Sequence, residues 1–172
     1  QWVKDEHVPS PATMLGMSSY IKYESKGNIL IISPWNYPFQ LTIYPLIYAI
    51  ASGNAVIIKP SEIATETSKV IYNMMQELFS ENEVAVIEGG QEASTELLKL
   101  PFNHIHFTGS PRVGKIVMEA AAKNLSGVTL ELGGKSPVIV DGTTNIKTTA
   151  SLDPVNKDND MSCEPVFLTC VA

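Results

Sequence analysis

A glutamate followed at once by two glycines is the part of this sequence with the clearest chemical potential. Glu131 ends a short β-rich run at residues 127–130, and Leu132 and the glycine pair follow it. Glycines at a strand end leave room for backbone to approach a substrate closely. A carboxylate beside a cleft can act as a general base where burial tunes its pKa. An exposed acid in a turn is the simpler interpretation of these residues alone, so the rest of the sequence has to decide.

A neutral amide donor lies in another segment that the sequence places after a strand. Asn36 is held among two prolines and two large aromatic side chains at residues 33–38. A side-chain amide fixed in this way can stabilise a developing oxyanion. The alternative is a rigid turn in which Asn36 only caps backbone groups.

Two further segments have the composition of a dinucleotide site. Lys59 and Glu62 lie three residues apart after a predicted strand and could hydrogen-bond sugar hydroxyls, although a surface ion pair or helix capping is the favoured explanation of these residues alone. Gly109 and Ser110 open a predicted helix, with Gly114 in its first turns, and free N–H groups at such a helix start favour a pyrophosphate. The G-x-G-x-x-G pattern of many dinucleotide sites is missing.

Histidine and cysteine do not predict a metal site or a disulfide scaffold. His104 and His106 share one face of a predicted strand, but no cysteine or acid is spaced to join them, which favours a structural role. Cys163 and Cys170 are too few for a disulfide framework. Whether either is a reactive thiolate depends on surroundings that the sequence does not reveal.

Alternating strands and helices must position these residues. The strand predictions are 28–32, 55–58, 84–87, 104–107, a strand around Thr129, and 137–140. The helix predictions are 40–52, a helix capped by Thr65 with apolar positions Val70, Ile71, Met74, Met75, Leu78 and Phe79, a short helix at 92–99, and a helix capped by Ser110 with buried positions Val113, Ile116, Val117, Ala120 and Ala121. This alternation predicts an α/β fold: a doubly wound, Rossmann-like, mostly parallel sheet with helices on both faces. Ligands bind at the carboxyl edge of such sheets, where segments 33–38, 59–62, 89–90, 108–110 and 131–135 would meet.

Composition narrows the classes of function. The 172 residues carry a net charge of −6 and no Lys/Arg cluster, which argues against nucleic-acid and anionic-membrane partners. No apolar run is long enough to span a bilayer, and the two cysteines favour a reducing, cytoplasmic location. We divide the chain into a connector at 1–27, a dinucleotide-binding domain at 28–150 and a divergent tail at 151–172, and we interpret it as a fragment.

Five motifs, taken together and in order, resemble the aldehyde dehydrogenase superfamily, and most closely its class 3, fatty-aldehyde-like branch. The resemblance runs from about Tyr20 to Ala150. It is carried by residues 31–41, 53–56 with 59–62, 88–90, 106–110 and 129–137. The resemblance implies NAD(P)-dependent oxidation of an aldehyde to a carboxylic acid through a cysteine thioester. It also implies a fold that is incomplete relative to the family, with mainly the cofactor-binding portion present.

The resemblance implies roles for particular residues. Asn36 resembles the oxyanion-hole amide, and Glu131 resembles the base that activates water for thioester hydrolysis. The implied cofactor is NAD or NADP, and the implied cofactor-binding residues are Ser33, Pro34, Trp35, Lys59, Ser61, Glu62, Gly90, Thr108, Gly109, Ser110, Gly114, Leu132 and Gly133. The complete enzyme would bind an aldehyde and form a homodimer, with no metal and with no membrane anchor visible in this chain.

The nucleophile is where the sequence departs from the family pattern. Residues 151–168 are polar and lack the glycine- and asparagine-containing motif that precedes the family's cysteine, whereas residues 169–172 resemble its Thr-Cys-Val-Ala. Cys170 is therefore the candidate nucleophile, with Cys163 second, and we expect little activity from these residues alone. The alternatives are a non-catalytic module that retains dinucleotide or subunit binding, and an acyl-phosphate or semialdehyde reductase on the same fold. Glu131 disfavours the reductase, which has less need of a deacylating base.

Overall fold

A computed structural model describes residues 4–14 and 16–134 and the backbone of two further strands at 137–140 and 166–169. The strands are β1 (Glu6–Val8), β2 (Ser19–Ile21), β3 (Asn28–Ile32), β4 (Ala55–Lys59), β5 (Val84–Val86), β6 (His104–Thr108), β7 (Gly127–Glu131), β8 (Pro137–Val140) and β9 (Val166–Thr169). The helices are α1 (Gln40–Ala51), α2 (Thr65–Leu78), α3 (Gln91–Leu97) and α4 (Pro111–Lys123), with a 3₁₀ turn at Ala12–Met14. Cys163, Cys170 and most of the predicted tail at 151–172 lie outside the described residues.

Five parallel strands form the central sheet, in the order β5-β4-β3-β6-β7. The chain adds β4 and β5 on one side of β3 and then returns to place β6 and β7 on the other side. The predicted doubly wound, parallel fold is confirmed. Because all five strands point the same way, the segments that follow them meet at one edge, and the strand order reverses between β3 and β6.

Alternating side chains on the strands build a core on each face of the sheet. On the first face Ile29, Ile31, Val56 and Ile58 pack with side chains of α1 and α2, among them Leu46 and Ile71. On the second face Leu30, Ile32, Ile105 and Phe107 pack with side chains of α3 and α4, among them Val117 and Ala121. Helices therefore pack on both faces, and on the first face they pack against the part of the sheet that β3, β4 and β5 form.

The helix starts test the predicted caps. Ser110 caps α4 as predicted, because its Oγ accepts a hydrogen bond from the Val113 N–H at 3.3 Å and Pro111 is the first helical residue. The cap predicted at Thr65 is wrong: Ala64 is the cap residue of α2, and the Thr65 hydroxyl donates instead to the Glu62 carbonyl at 3.1 Å.

Some predicted core positions are exposed. Ile116 is wrong as a buried position because α4 packs through Gly114, Val117 and Ala121, which leaves Ile116 to one side. Val70 and Leu78 are likewise exposed because α2 contacts β5, the strand at the edge of the sheet, through Ile71 and Met75. The apolar stripe of a helix, as read from its sequence, includes more residues than the few that contact an edge strand.

The predicted set of sheet strands needs one correction. β8 pairs in parallel with β9 in a separate two-stranded sheet and does not extend the central sheet. Antiparallel strands β1 and β2, which the sequence does not predict, lie within the segment at 1–27. The division into three segments at 1–27, 28–150 and 151–172 stays a prediction.

Candidate active site and cofactor cleft

The crevice between the ends of β3 and β6 lies where the strand order reverses, which is where open α/β sheets bind ligands. The segment that leaves β3 carries Asn36, and the segment that leaves β6 begins with Gly109. Glu131 ends β7 directly beside β6, in register with Thr108. The Gly109 N–H donates to the Glu131 carbonyl at 3.0 Å, which joins two of these strand ends.

Hydrogen bonds and an unusual backbone conformation hold the segment that carries Asn36. Thr42 Oγ1 donates to the Pro38 carbonyl at 2.6 Å, so the buried Ser33 hydroxyl, also 2.6 Å from Thr42 Oγ1, donates to it. Tyr37 adopts φ +46°, a left-handed conformation that is uncommon outside glycine and that clusters at functional sites. The predicted rigidity of this turn therefore has an observable cause, and the Ser33 hydroxyl is used to brace it.

Asn36 and Glu131 line the same cavity, which has a volume of about 450 Å³ and is called here the strand-end cavity. Its other lining residues are Leu41, Tyr44, Pro45, Tyr48, His106, Thr108, Gly109 and Leu132. Asn36 is partly buried, and its Oδ1 has no hydrogen-bond partner among the described residues. Glu131 is exposed among the described residues. The two predicted catalytic residues are nonetheless brought together.

Lys59 and Glu62 form the predicted pair at the end of β4. The Lys59 side chain is only 3% exposed, and its Nζ donates to the Pro60 carbonyl at 2.7 Å and to Glu62 Oε2 at 3.1 Å. Desolvation raises the pKa of Glu62, but hydrogen bonds from its own backbone and from Lys59, with the lysine charge, give a net pKa below the usual value. Glu62 is therefore ionised at neutral pH and holds the lysine in place. Ser61 is buried beside them, and its Oγ accepts from the Ile63 N–H at 3.3 Å.

Two of the predicted cofactor glycines have a packing reason of their own. A Cβ on Gly109 would lie 2.5 Å from Phe107 Cζ, and one on Gly114 would lie 2.8 Å from Leu132 Cδ2. Both distances are shorter than atoms tolerate. Gly114 thus lets α4 lie against the residue that follows Glu131, and α4 begins directly after Gly109 and Ser110 at the crevice.

Comparisons with known proteins show the family to which this chain belongs. The model of the family described as "Aldehyde dehydrogenase family" matches residues 2–152. The chain belongs to the aldehyde dehydrogenase family. It is 54% identical over 146 residues to a Staphylococcus aureus 4,4'-diaponeurosporen-aldehyde dehydrogenase, covering 85% of this chain and 32% of that protein. It is 47% identical over 150 residues to human aldehyde dehydrogenase family 3 member B1, covering 87% and 32%.

Solved structures of this family share the fold. The substrate-bound state of Staphylococcus aureus AldH superposes with a TM-score of 0.77 at 53% identity, covering 87% of this chain and 32% of that chain. A Mycobacterium tuberculosis aldehyde dehydrogenase complexed with NAD+ gives a TM-score of 0.70 at 30% identity, covering 82% and 28%. The chain spans about a third of the length of the curated relatives that it matches.

Within this aldehyde dehydrogenase segment, the remaining predicted cofactor residues are spread along the carboxyl edge. Pro34 is buried and Trp35 is 43% exposed beside the β3 end, and Gly133 is exposed after Leu132. Gly90 follows the edge strand β5 and lines a separate cavity with residues of α3, so it does not join the strand-end cavity. The predicted nucleophiles cannot be placed, since both lie outside the described residues.

Two kinds of residue on the cavity wall were missed from the sequence. Tyr44 and Tyr48 are exposed aromatics one helical turn apart on α1, and that spacing was the available signal within a helix described only as apolar. The sequence predicts a structural role for His106, and the structure places it on the wall of the cavity that Glu131 also lines. His104 fits the structural role better, because Nε2 lies 2.9 Å from Thr129 Oγ1 and Nδ1 lies 3.2 Å from Lys26 Nζ.

Two negative findings apply to the described residues. Within 4–14 and 16–134, no group of three or more His, Cys, Asp or Glu side chains is arranged to hold a metal ion. In the same part of the chain, no helix has the length and hydropathy to cross a membrane.

Proposed function

We propose that this chain provides the dinucleotide-binding part, the oxyanion amide and the hydrolytic base of an NAD(P)-dependent enzyme that oxidises an aldehyde to a carboxylic acid through a cysteine thioester. The observation that carries the proposal is the strand-end cavity, where Asn36 and Glu131 meet at the reversal of strand order. The two residues match the two needs of the reaction, which are stabilisation of an oxyanion and removal of a proton from water. An oxyanion needs a fixed donor, and an attacking water needs a proton acceptor.

The dinucleotide would lie along the carboxyl edge of the sheet. The Lys59 ammonium and the Glu62 carboxylate would hydrogen-bond a ribose, and the N–H groups at the start of α4 would face the pyrophosphate. The bound nicotinamide supplies the acceptor for the hydride. The ionised Glu62 would repel a 2′-phosphate, which favours NAD+ over NADP+. Structural relatives complexed with NAD+ are consistent with this assignment.

The chain's own residues would act at two points. The Asn36 amide N–H donates to the oxygen of the aldehyde carbonyl as a thiolate attacks it, and again as water attacks the thioester. Glu131 takes a proton from that water, so that hydroxide adds to the carbonyl and the cysteine leaves as thiolate. Cys170 is the proposed nucleophile and Cys163 the alternative. The complete enzyme is expected to form a homodimer.

Cofactor binding and turnover test the proposal separately. Calorimetric titration of the 172-residue chain with NAD+ should show binding, and Glu62→Gln should narrow the preference for NAD+ over NADP+. Absorbance of NADH with a medium-chain aldehyde should show little turnover by this chain alone. Absence of NAD+ binding would contradict the cofactor assignment. Robust turnover that Cys170→Ala abolishes would contradict the expected inactivity while confirming the nucleophile.

A further inference from the structure

One half of the first sheet face is polar. The β6–β7 polar face consists of His104, His106, Thr108, Thr129 and Glu131, which lie on the same side because His106 pairs with Thr129 and Thr108 pairs with Glu131. The neighbouring positions on β3, Ile29 and Ile31, belong to the apolar core under α1. A polar side chain on a half-buried sheet face costs free energy unless it makes a hydrogen bond. The side chains of His104 and Thr129 are hydrogen-bonded to each other. The question that follows is what His106 does on this face.

His106 lies between two cavities. It lines the strand-end cavity with Glu131, to which it is diagonally adjacent across β6 and β7. It also lines a second cavity of about 450 Å³, called here the edge cavity, whose wall includes Lys26, Glu24 and His104. Pro45 and Tyr48 of α1 are shared by the two cavities as well. The imidazole therefore faces Glu131 on one side and a cavity bordered by exposed charged residues on the other.

The surroundings of His106 keep its imidazole neutral at neutral pH. Burial lowers the pKa of His106, and the nearby Glu131 carboxylate raises it only in part. Among the residues that the structure describes, the other titratable groups around the two cavities are His104 on β6, Tyr44 and Tyr48 on α1, and Tyr23, Glu24 and Lys26 in the segment before β3. A neutral imidazole is able to accept a proton from a neighbouring carboxyl group that has been protonated.

We propose that His106 receives the proton collected by Glu131 and releases it to solvent through the edge cavity. This rests on the proposed function, in which Glu131 removes a proton from water as the thioester is hydrolysed. Glu131 must lose that proton before the next cycle. The proton moves from the Glu131 carboxyl to an imidazole nitrogen of His106, directly or through one water, giving carboxylate and imidazolium. The imidazolium then gives the proton to water in the edge cavity, and no electrons are transferred.

Nitrogen-15 NMR of the 172-residue chain tests this without any turnover. In the parent chain the His106 imidazole should be neutral at pH 7. In Glu131→Gln the pKa of His106 should fall, because the carboxylate that favours imidazolium is gone, and it should fall more than the pKa of His104. Glu119→Gln is the matched control, since Glu119 is exposed on α4, which packs on the opposite face of the sheet. Loss of the peak in His106→Gln assigns the resonance.

Each outcome decides the proposal. A His106 that is imidazolium at pH 7, or one whose titration is the same in Glu131→Gln as in Glu119→Gln, overturns it. Glu131 is exposed, so its substitution should fold, and dispersed amide signals verify that. Should it not fold, Glu131→Asp retains the charge and is expected to leave the pKa of His106 raised relative to its value in Glu131→Ala; equal values overturn the proposal. Absence of NAD+ binding with this coupling intact would reject the proposed function and leave the proton-accepting pair standing.

Discussion

The loop after β4 and the cavity between β3 and β7 occupy the same edge of the sheet but differ in how far their polar groups are satisfied. Lys59 is nearly inaccessible, and its ammonium has acceptors at 2.7 and 3.1 Å. Asn36, by contrast, has an amide oxygen without a partner among the described residues, and Glu131 is exposed. The first region is held in one arrangement, and we propose that the second keeps its polar groups for a ligand.

The two regions differ because their residues lie at different distances along the chain from the residues that they meet. Lys59 bonds to residues one and three positions along the chain, so local structure alone completes that loop. Asn36 and Glu131 come from strands on opposite sides of β6, and only the folded sheet brings them together. A preorganised site binds its ligand with little ordering cost. We therefore expect cofactor binding to depend on the Lys59 loop and to be largely independent of the reactive residues.

The largest expected effect comes from removing the lysine. Lys59→Met keeps most of the side-chain volume but leaves the Pro60 carbonyl and Glu62 without their donor. We expect a loss of about 2 kcal/mol in the free energy of unfolding and about a tenfold or greater loss in NAD+ affinity. Urea denaturation and calorimetry measure the two. Asn36→Ala is the control, because it should leave NAD+ affinity within about twofold. Equal losses of NAD+ affinity in Lys59→Met and Asn36→Ala would show that the two regions do not differ in their contribution to cofactor binding.

The second-largest expected effect is on packing at the end of β6, where Gly109 lies against Phe107. Gly109→Ala places a methyl group 2.5 Å from the Phe107 ring, so the ring or the strand end must move. We expect a loss of about 1–3 kcal/mol in the free energy of unfolding. Gly90→Ala is a matched control on the same edge, since no atom lies within 4 Å of its added Cβ. Similar denaturation midpoints for the two variants would show that Gly109 is not required for packing.

Asn36 should behave in the opposite way from Lys59. Because the buried Oδ1 has no partner among the described residues, Asn36→Ala removes a group that costs free energy, and the variant should be as stable as the parent or more stable by up to about 1 kcal/mol. Thermal and urea denaturation measure this. A clear loss of stability would mean that Asn36 supports the turn at 33–38, and its assignment as a group kept available for a ligand would fail.

How far the sequence predicts the molecule depends on the range of the interaction. Patterns within one element predicted the five sheet strands, the Ser110 cap and the Lys59–Glu62 pair, because these depend on neighbours along the chain. The cap at Thr65 and the burial of Ile116 were wrong, because tertiary contacts decide which helix positions meet the sheet. The closeness of His106 and Glu131 depends on the register of β6 and β7, which no local pattern encodes. The roles assigned to the site residues stay predictions.

The smallest effect concerns the acid dependence of the Lys59 loop. The pKa of Glu62 is lowered from 4.5 in the folded chain, where desolvation is outweighed by hydrogen bonds from its backbone and Lys59. A lowered folded-state pKa contributes stability that is present above pH 4.5 and is lost as the pH falls through the folded value. The side chain is 50% exposed, so solvent screens the pair and its contribution should stay below about 0.5 kcal/mol.

Glu62→Gln should therefore lower the free energy of unfolding slightly at pH 7 and flatten its decline below pH 4.5. Urea denaturation at a series of pH values measures both. Glu81→Gln removes the same charge from an exposed position at the opposite edge of the sheet and controls for net charge. If Glu62→Gln and Glu81→Gln give parallel curves, the lysine is held by the Pro60 carbonyl and burial alone. The Lys59 loop would then owe its order to the backbone rather than to its ion pair.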